Sequence, residues 1–166
     1  MAASFTVRRD TAGALTPHTL AKIECADGRA ERWLSTTPVS RGSETGIDYA
    51  ENGDVLFGEL RIAESELADT EAATHRAYTL VESFLTARGY PHLLRCWNFL
   101  HDLHRGSGDS ERYKQFVAGR YRAWSAREGF EHRLPAATVI GGAEPGLRIY
   151  FLAARAAGTP IENPRQ

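Results

Sequence analysis

From residue 54 onward the spacing of apolar and polar positions changes period from one segment to the next. Residues 55–62 (Val-Leu-Phe-Gly-Glu-Leu-Arg-Ile) alternate after an apolar start, which predicts a strand. Asp69 and Thr70, with Glu71 close behind, then supply a helix start. Apolar residues at Ala73, Ala77, Leu80, Val81, Phe84 and Leu85 form a helical stripe, and Gly89 and Pro91 stop it. Residues 92–100 are apolar apart from Arg95 and Asn98 and predict a second, buried strand. After the loop Arg105-Gly106-Ser107-Gly108, Asp109 or Ser110 is placed to cap a second helix. That helix would carry Tyr113, Phe116, Val117, Tyr121 and Trp124 on one face and end at Gly129. Segments 136–142 and 146–154 predict two further strands, joined as a hairpin through Glu144-Pro145-Gly146.

The first fifty-odd residues lack this regularity. Short strand-like pieces (5–7, 20–25 and 32–34) are separated by Gly, Pro, Ser and Thr clusters, and 41–53 reads as a polar loop. The expected organisation is an irregular region over 1–53 followed by a domain over 54–166. Its order of β-α-β-α-β-β predicts an α/β (α+β) fold with a single mixed sheet and two helices packed on one face.

Composition narrows the classes of function. With 166 residues, 42% hydrophobic, the chain can bury the core of one domain. A net charge of −1 gives no bulk attraction to nucleic acid or to a membrane surface. No apolar run approaches the roughly 20 residues of a membrane helix, and the first residues lack the apolar stretch of a signal peptide. The default location is therefore the cytoplasm. Cys25 and Cys96 are not expected to pair or to bind metal, and Cys96 reads as a buried small hydrophobe.

Candidate chemistry lies in three places. Alternation along 95–100 sends Arg95, Trp97 and Phe99 to one face, and Cys96, Asn98 and Leu100 to the other. Asn98 there either serves a ligand or satisfies a neighbouring backbone group. Tyr113, Phe116 and Arg120, at i, i+3 and i+7, could cradle a ring bearing a carboxylate, or belong to an amphipathic core helix with a surface arginine. Gly119 inside that helix costs close to 1 kcal/mol against alanine. It implies a close helix–sheet contact or a ligand near the backbone. The third place is the final segment, Ile161-Glu162-Asn163-Pro164-Arg165-Gln166, where a proline-anchored arginine follows a strong strand. His101 and His104, with His75 and His92 elsewhere, lack the spacing of a metal set and read as solvated loop histidines. The sequence has no nucleophile elbow and no phosphate-binding loop.

Four segments in order resemble the chorismatase family, whose members are also described as pteridine-dependent-dioxygenase-like. They are Arg95-Cys-Trp-Asn-Phe-Leu100, Glu111-Arg-Tyr-Lys-Gln-Phe116 with Ala118-Gly-Arg120, Ile149-Tyr-Phe-Leu-Ala-Ala-Arg155, and Ile161–Gln166. The resemblance covers residues 55–166 and implies one of two fused halves, each with a YjgF/RidA and chorismate-mutase-like fold, assembled as a pseudo-trimer. It implies hydrolysis of the enolpyruvyl ether of chorismate to pyruvate and a dihydroxycyclohexadiene carboxylate or hydroxybenzoate, without metal or organic cofactor. By the same resemblance Arg165 would hold a substrate carboxylate, assisted by Arg120, Tyr113 and Asn98. By the resemblance the acid that protonates the enol ether belongs to the C-terminal half, so the expected partner is a C-terminal half domain or a homo-oligomer partner. The alternatives are a non-catalytic binding module of the same fold, and an imine deaminase of the RidA type.

Overall fold

The computed structural model describes residues 18–24, 30–126, 129–130 and 134–159. An antiparallel pair, β1 (His18–Glu24) and β2 (Ala30–Ser35), precedes a six-stranded sheet. The sheet comprises β3 (Ser40–Glu44), β4 (Ile47–Glu51), β5 (Val55–Ile62), β6 (His92–His101), β7 (Ala136–Gly142) and β8 (Leu147–Ala154). Its spatial order is β3-β4-β5-β8-β6-β7, antiparallel throughout except for the parallel pair β6–β7. Two helices, α1 (Thr70–Ala87) and α2 (Arg112–Ser125), cross between strands. From β5 onward the order is the expected β-α-β-α-β-β, with a mixed sheet and both helices on one face.

Helix α1 forms where local chemistry directs it. The Asp69 carboxylate accepts from the Ala72 N–H at 2.9 Å, satisfying one orphan donor of the first turn. Gly89, at φ +74°, takes the left-handed conformation just past the end of the helix. Its inner face buries Thr74, Ala77, Tyr78, Val81, Phe84 and Leu85 against Leu56, Leu60, Cys96, Leu100, Ile149 and Phe151 of the sheet.

Four expectations are corrected. The polar stretch over 41–53 is a β-hairpin, not a loop. Thr45 (φ 51°) and Gly46 (φ 82°) make the two-residue turn with both φ angles positive that matches strand twist, and β4 pairs onward with β5. Its outer strand β3 is polar on both sides because it is a sheet edge, so alternation is absent. Segments β7 and β8 do not form a hairpin, since β6 lies between them and pairs with both. Neither Asp109 nor Ser110 caps α2. Both lie in a 3-10 turn, Gly108–Ser110, and the first helical N–H groups are met by loop carbonyls instead (Arg112 N to Arg105 O, 2.8 Å; Tyr113 N to Leu103 O, 3.1 Å). Finally, the buried face of α2 runs through Arg112, Phe116, Gly119, Ala123 and Trp124. Tyr113 and Tyr121 are exposed, at 40% and 58%.

Alternation divides the rest of the core in two. Opposite the helices, Leu20 and Ala21 of β1 pack with Val55, Phe57, Tyr150, Leu152 and Ala154, and Trp33 of β2 meets Trp97 edge-on with centroids 5.8 Å apart. The β1–β2 pair thus covers part of the face that the helices leave open.

Candidate functional site

Beneath the helices, β6 carries Asn98 into the interior with no exposed surface. Its amide is used at both ends. The Tyr78 hydroxyl donates to Oδ1 at 2.7 Å, and Nδ2 donates to the Thr138 carbonyl of β7 at 2.8 Å. Tyr78 is itself fully buried and meets Phe116 and Trp124 edge-on at 6.3 and 5.1 Å. Arg120 lies over the same two rings, 5.6 Å from the Phe116 centroid and 5.2 Å from that of Trp124. Burial raises the Tyr78 phenol well above its ordinary value; the charge of Arg120 and the bond to Asn98 oppose that shift without cancelling it. Burial also pushes the Cys96 thiol up to about 12. Both groups therefore hold their protons at neutral pH, and Cys96 has none of the thiolate character of a nucleophile.

The structure thus brings two of the predicted site residues together. Asn98 and Arg120 meet through Tyr78, whereas Tyr113 turns to solvent. Arg165 lies outside the described residues, as does Cys25. Tyr78 was missed in the sequence, although Thr74, Ala77, Tyr78 and Val81 fall at i, i+3, i+4 and i+7, the spacing of one buried helical face.

The opposite face of the sheet combines rings with charge. Phe57 and Tyr150, with centroids 5.9 Å apart, floor a cleft of about 360 Å³ rimmed by Leu20, Arg41, Asp48 and Glu59. Arg41 donates to the Thr19 carbonyl, tying β3 to β1. Glu59 accepts from Arg61 at 2.6 Å and lies 3.2 Å from Arg148, which also donates to Glu144 at 2.5 Å. Along β6, the Arg95 guanidinium sits 5.0 Å from the Trp97 ring.

At one end of the sheet Arg112, only 4% exposed, gathers several segments. It donates to the His101 carbonyl at 2.7 Å and to Glu64 at 2.5 and 3.3 Å. Glu64 also accepts from the Gly146 N–H at 3.0 Å. The guanidinium beside it, with smaller help from that backbone bond, holds the Glu64 carboxyl below its usual range despite the opposing effect of desolvation. His101, the last residue of β6 rather than the loop residue expected, lies 3.8 Å from Glu64, while His104 in the following turn lies 3.2 Å from Glu111, so the two histidines face different carboxylates. Among the described residues no group of three or more His, Cys, Asp or Glu side chains could hold a metal ion. No helix among the described residues is long and apolar enough to cross a membrane.

Residues 31–153 match the family model described as chorismatase FkbO/Hyg5-like, N-terminal. The chain belongs to that family. A chorismatase of Streptomyces rapamycinicus is 36% identical over 137 residues, which is 81% of this chain and 40% of the relative. A 3-hydroxybenzoate synthase of Streptomyces hygroscopicus is 34% identical over 143 residues, 85% of this chain and 42% of the relative. Among solved structures, a chorismatase superposes with a TM-score of 0.71 at 35% identity, over 89% of this chain and 44% of its own. A putative translation initiation inhibitor from Salmonella typhimurium shares the fold at a TM-score of 0.50 and 17% identity, over 72% of this chain and 99% of its own. This chorismatase N-terminal domain therefore spans about two fifths of the length of the curated relatives it matches.

Proposed function

We propose that this domain is the N-terminal part of an enzyme that hydrolyses the enolpyruvyl ether of chorismate, and that it is inactive alone. The observation that carries the reading is the family match over residues 31–153, with relatives named chorismatase and 3-hydroxybenzoate synthase of which the chain spans 40% and 42%. In the reaction a carboxylic acid protonates the enol-ether methylene carbon, and the adjacent carbon becomes an oxocarbenium ion. Water adds to it, and the hemiketal collapses to pyruvate while the ring oxygen leaves as a hydroxyl. The product of this hydrolysis is a dihydroxycyclohexadiene carboxylate; a hydroxybenzoate forms where the ring also loses a hydroxyl and a proton as water. The acid needs a raised pKa to be protonated at neutral pH, and it belongs to the remainder of the enzyme.

In this reading the chain's own residues bind rather than react. Arg165 holds one substrate carboxylate as a bidentate clamp. Arg120, which lies over the Phe116 and Trp124 rings and hydrogen-bonds Tyr78, is a second cation for a carboxylate, with Tyr113 along the same helix. Asn98 acts indirectly, keeping β7 in place through the Thr138 carbonyl. The second domain packs on the face opposite the helices, where β1–β2 covers only part of the sheet.

The test follows pyruvate release from chorismate by this chain alone and mixed with the C-terminal part of a chorismatase. Pyruvate is expected only in the mixture, and its absence from both overturns the catalytic reading. Arg165→Ala is expected to weaken binding of a non-hydrolysable chorismate analogue in the mixture by about tenfold or more, the scale of a lost charge-assisted pair. Unchanged affinity would remove Arg165 from the site.

A further inference from the structure

Strand β7 is an edge with no obvious defence. Ala136, Ala137, Thr138, Ile140 and Gly141 are exposed, Ile140 at 51%, and none of its seven residues is charged. Its inner side is fixed by the parallel ladder with β6 and by Asn98 on the Thr138 carbonyl. On its outer side no strand pairs with it among the described residues. The other edge of the sheet is guarded, since β3 carries Arg41 and Glu44. An uncharged edge beside a charged one is a template for strand addition.

The order of residues in β7 indicates what pairs there. About Val139 the strand is symmetric in side-chain branching and size class, with two small residues, then three β-branched ones, then two glycines. A two-fold axis through Val139 would set Ala136 opposite Gly142 of a second copy, Ala137 opposite Gly141, and Thr138 opposite Ile140. Residues directly opposite share a face of the sheet, so each exposed Ile140 would meet a β-branched neighbour, and the alanine methyl groups would meet glycines that leave them room. No like charges oppose one another. Such an isologous contact closes on itself as a dimer.

We propose that β7 is a self-pairing edge, through which two copies of this chain join antiparallel about Val139 and merge their sheets. The pairing is independent of the catalytic reading and uses none of the residues assigned to substrate.

Sedimentation velocity of the purified chain over a range of concentrations tests it. The wild type is expected to dimerise reversibly. Thr138→Lys with Ile140→Lys places lysine opposite lysine twice and is expected to weaken the dimer by about tenfold or more. Thr138→Glu with Ile140→Lys places glutamate opposite lysine twice and is expected to restore it. Circular dichroism establishes that both variants are folded; because both carry Ile140→Lys, their difference reads the register rather than the fold. A chain monomeric at every concentration overturns the proposal, as would happen if the edge receives a strand from another domain instead. So does a dimer indifferent to the lysine pair, or one that the glutamate–lysine pair fails to restore.

Discussion

Gly119 is where the two helices touch. A Cβ at this position would overlap the Glu71 carbonyl oxygen of α1 and lie 2.9 Å from the Thr74 Cβ. The glycine therefore answers to a neighbouring helix, rather than to the sheet or ligand that its place in the sequence suggests. Alanine would add about 1 kcal/mol of helix propensity. Against that, overpacking costs about 1–3 kcal/mol, and the obstacle here is backbone, which cannot rotate aside. Strain should win. Gly119→Ala is expected to lower stability by about 1–2 kcal/mol in urea unfolding, and equal or greater stability would show that the helices can part freely. The same contact explains why Tyr113 and Tyr121 face solvent. Close approach at Gly119 turns the Arg112, Phe116, Gly119 and Ala123 face inward, and the two tyrosines fall outside it.

At the scale of elements, Asn98 does for β7 what a turn does for a hairpin, tying the edge strand to the interior. Asn98→Leu keeps the volume but leaves the Tyr78 hydroxyl and the Thr138 carbonyl without this partner. An unmet buried polar group costs about 1–3 kcal/mol, and that loss is expected in unfolding. The amides of β7 should also exchange faster with solvent while those of β5 and β8 do not. Uniform exchange would mean that the backbone ladder alone holds the edge. Elements with local signals were legible in the sequence: α1 had its Asp69 cap and Gly89 stop, and β6 its alternating faces. The β3–β4 hairpin was not, because an edge strand exposed on both sides has no apolar period to detect. The hairpin expected between β7 and β8 failed differently. A short turn-like connection says that the chain reverses, but not which strand it returns to, and β6, more than thirty residues upstream, took the place. Within the candidate site, the inward placement of Asn98 followed from period two. Its partner Tyr78 lay on another element, and no local pattern links the two.

Across the whole molecule, Glu64 joins parts of the chain that are far apart, linking the segment after β5, the end of β6, the start of α2 and the turn before β8. Its carboxyl titrates below the reference value of 4.5, chiefly through the hydrogen bond from Arg112. Between the two values the unfolded chain binds more protons than the folded one, so stability rises with pH there. This contribution is complete above the unfolded value and disappears as pH falls through the folded one. Glu64→Gln is expected to cost about 1–2 kcal/mol at neutral pH. That is less than the 3–5 kcal/mol of a fully buried pair, because solvent reaches the Glu64 side chain. The variant should also lose less stability than the wild type between pH 4.5 and the lower folded value. Parallel acid limbs in chemical denaturation would sink this account.

Among the described residues, β8 is the last strand in chain order and sits in the middle of the sheet, between β5 and β6. During synthesis the ribosome releases the other strands of this sheet first, yet β5 and β6 are joined only through β8, once residues 147–154 emerge. Until then the apolar faces of both strands await a neighbour, and the long separation between β5 and β8 makes its arrival slow. The six-stranded sheet is thus committed to closing only after translation of β8. A chain stalled before Leu147 would present two open strand edges to chaperones and to its neighbours on the polysome.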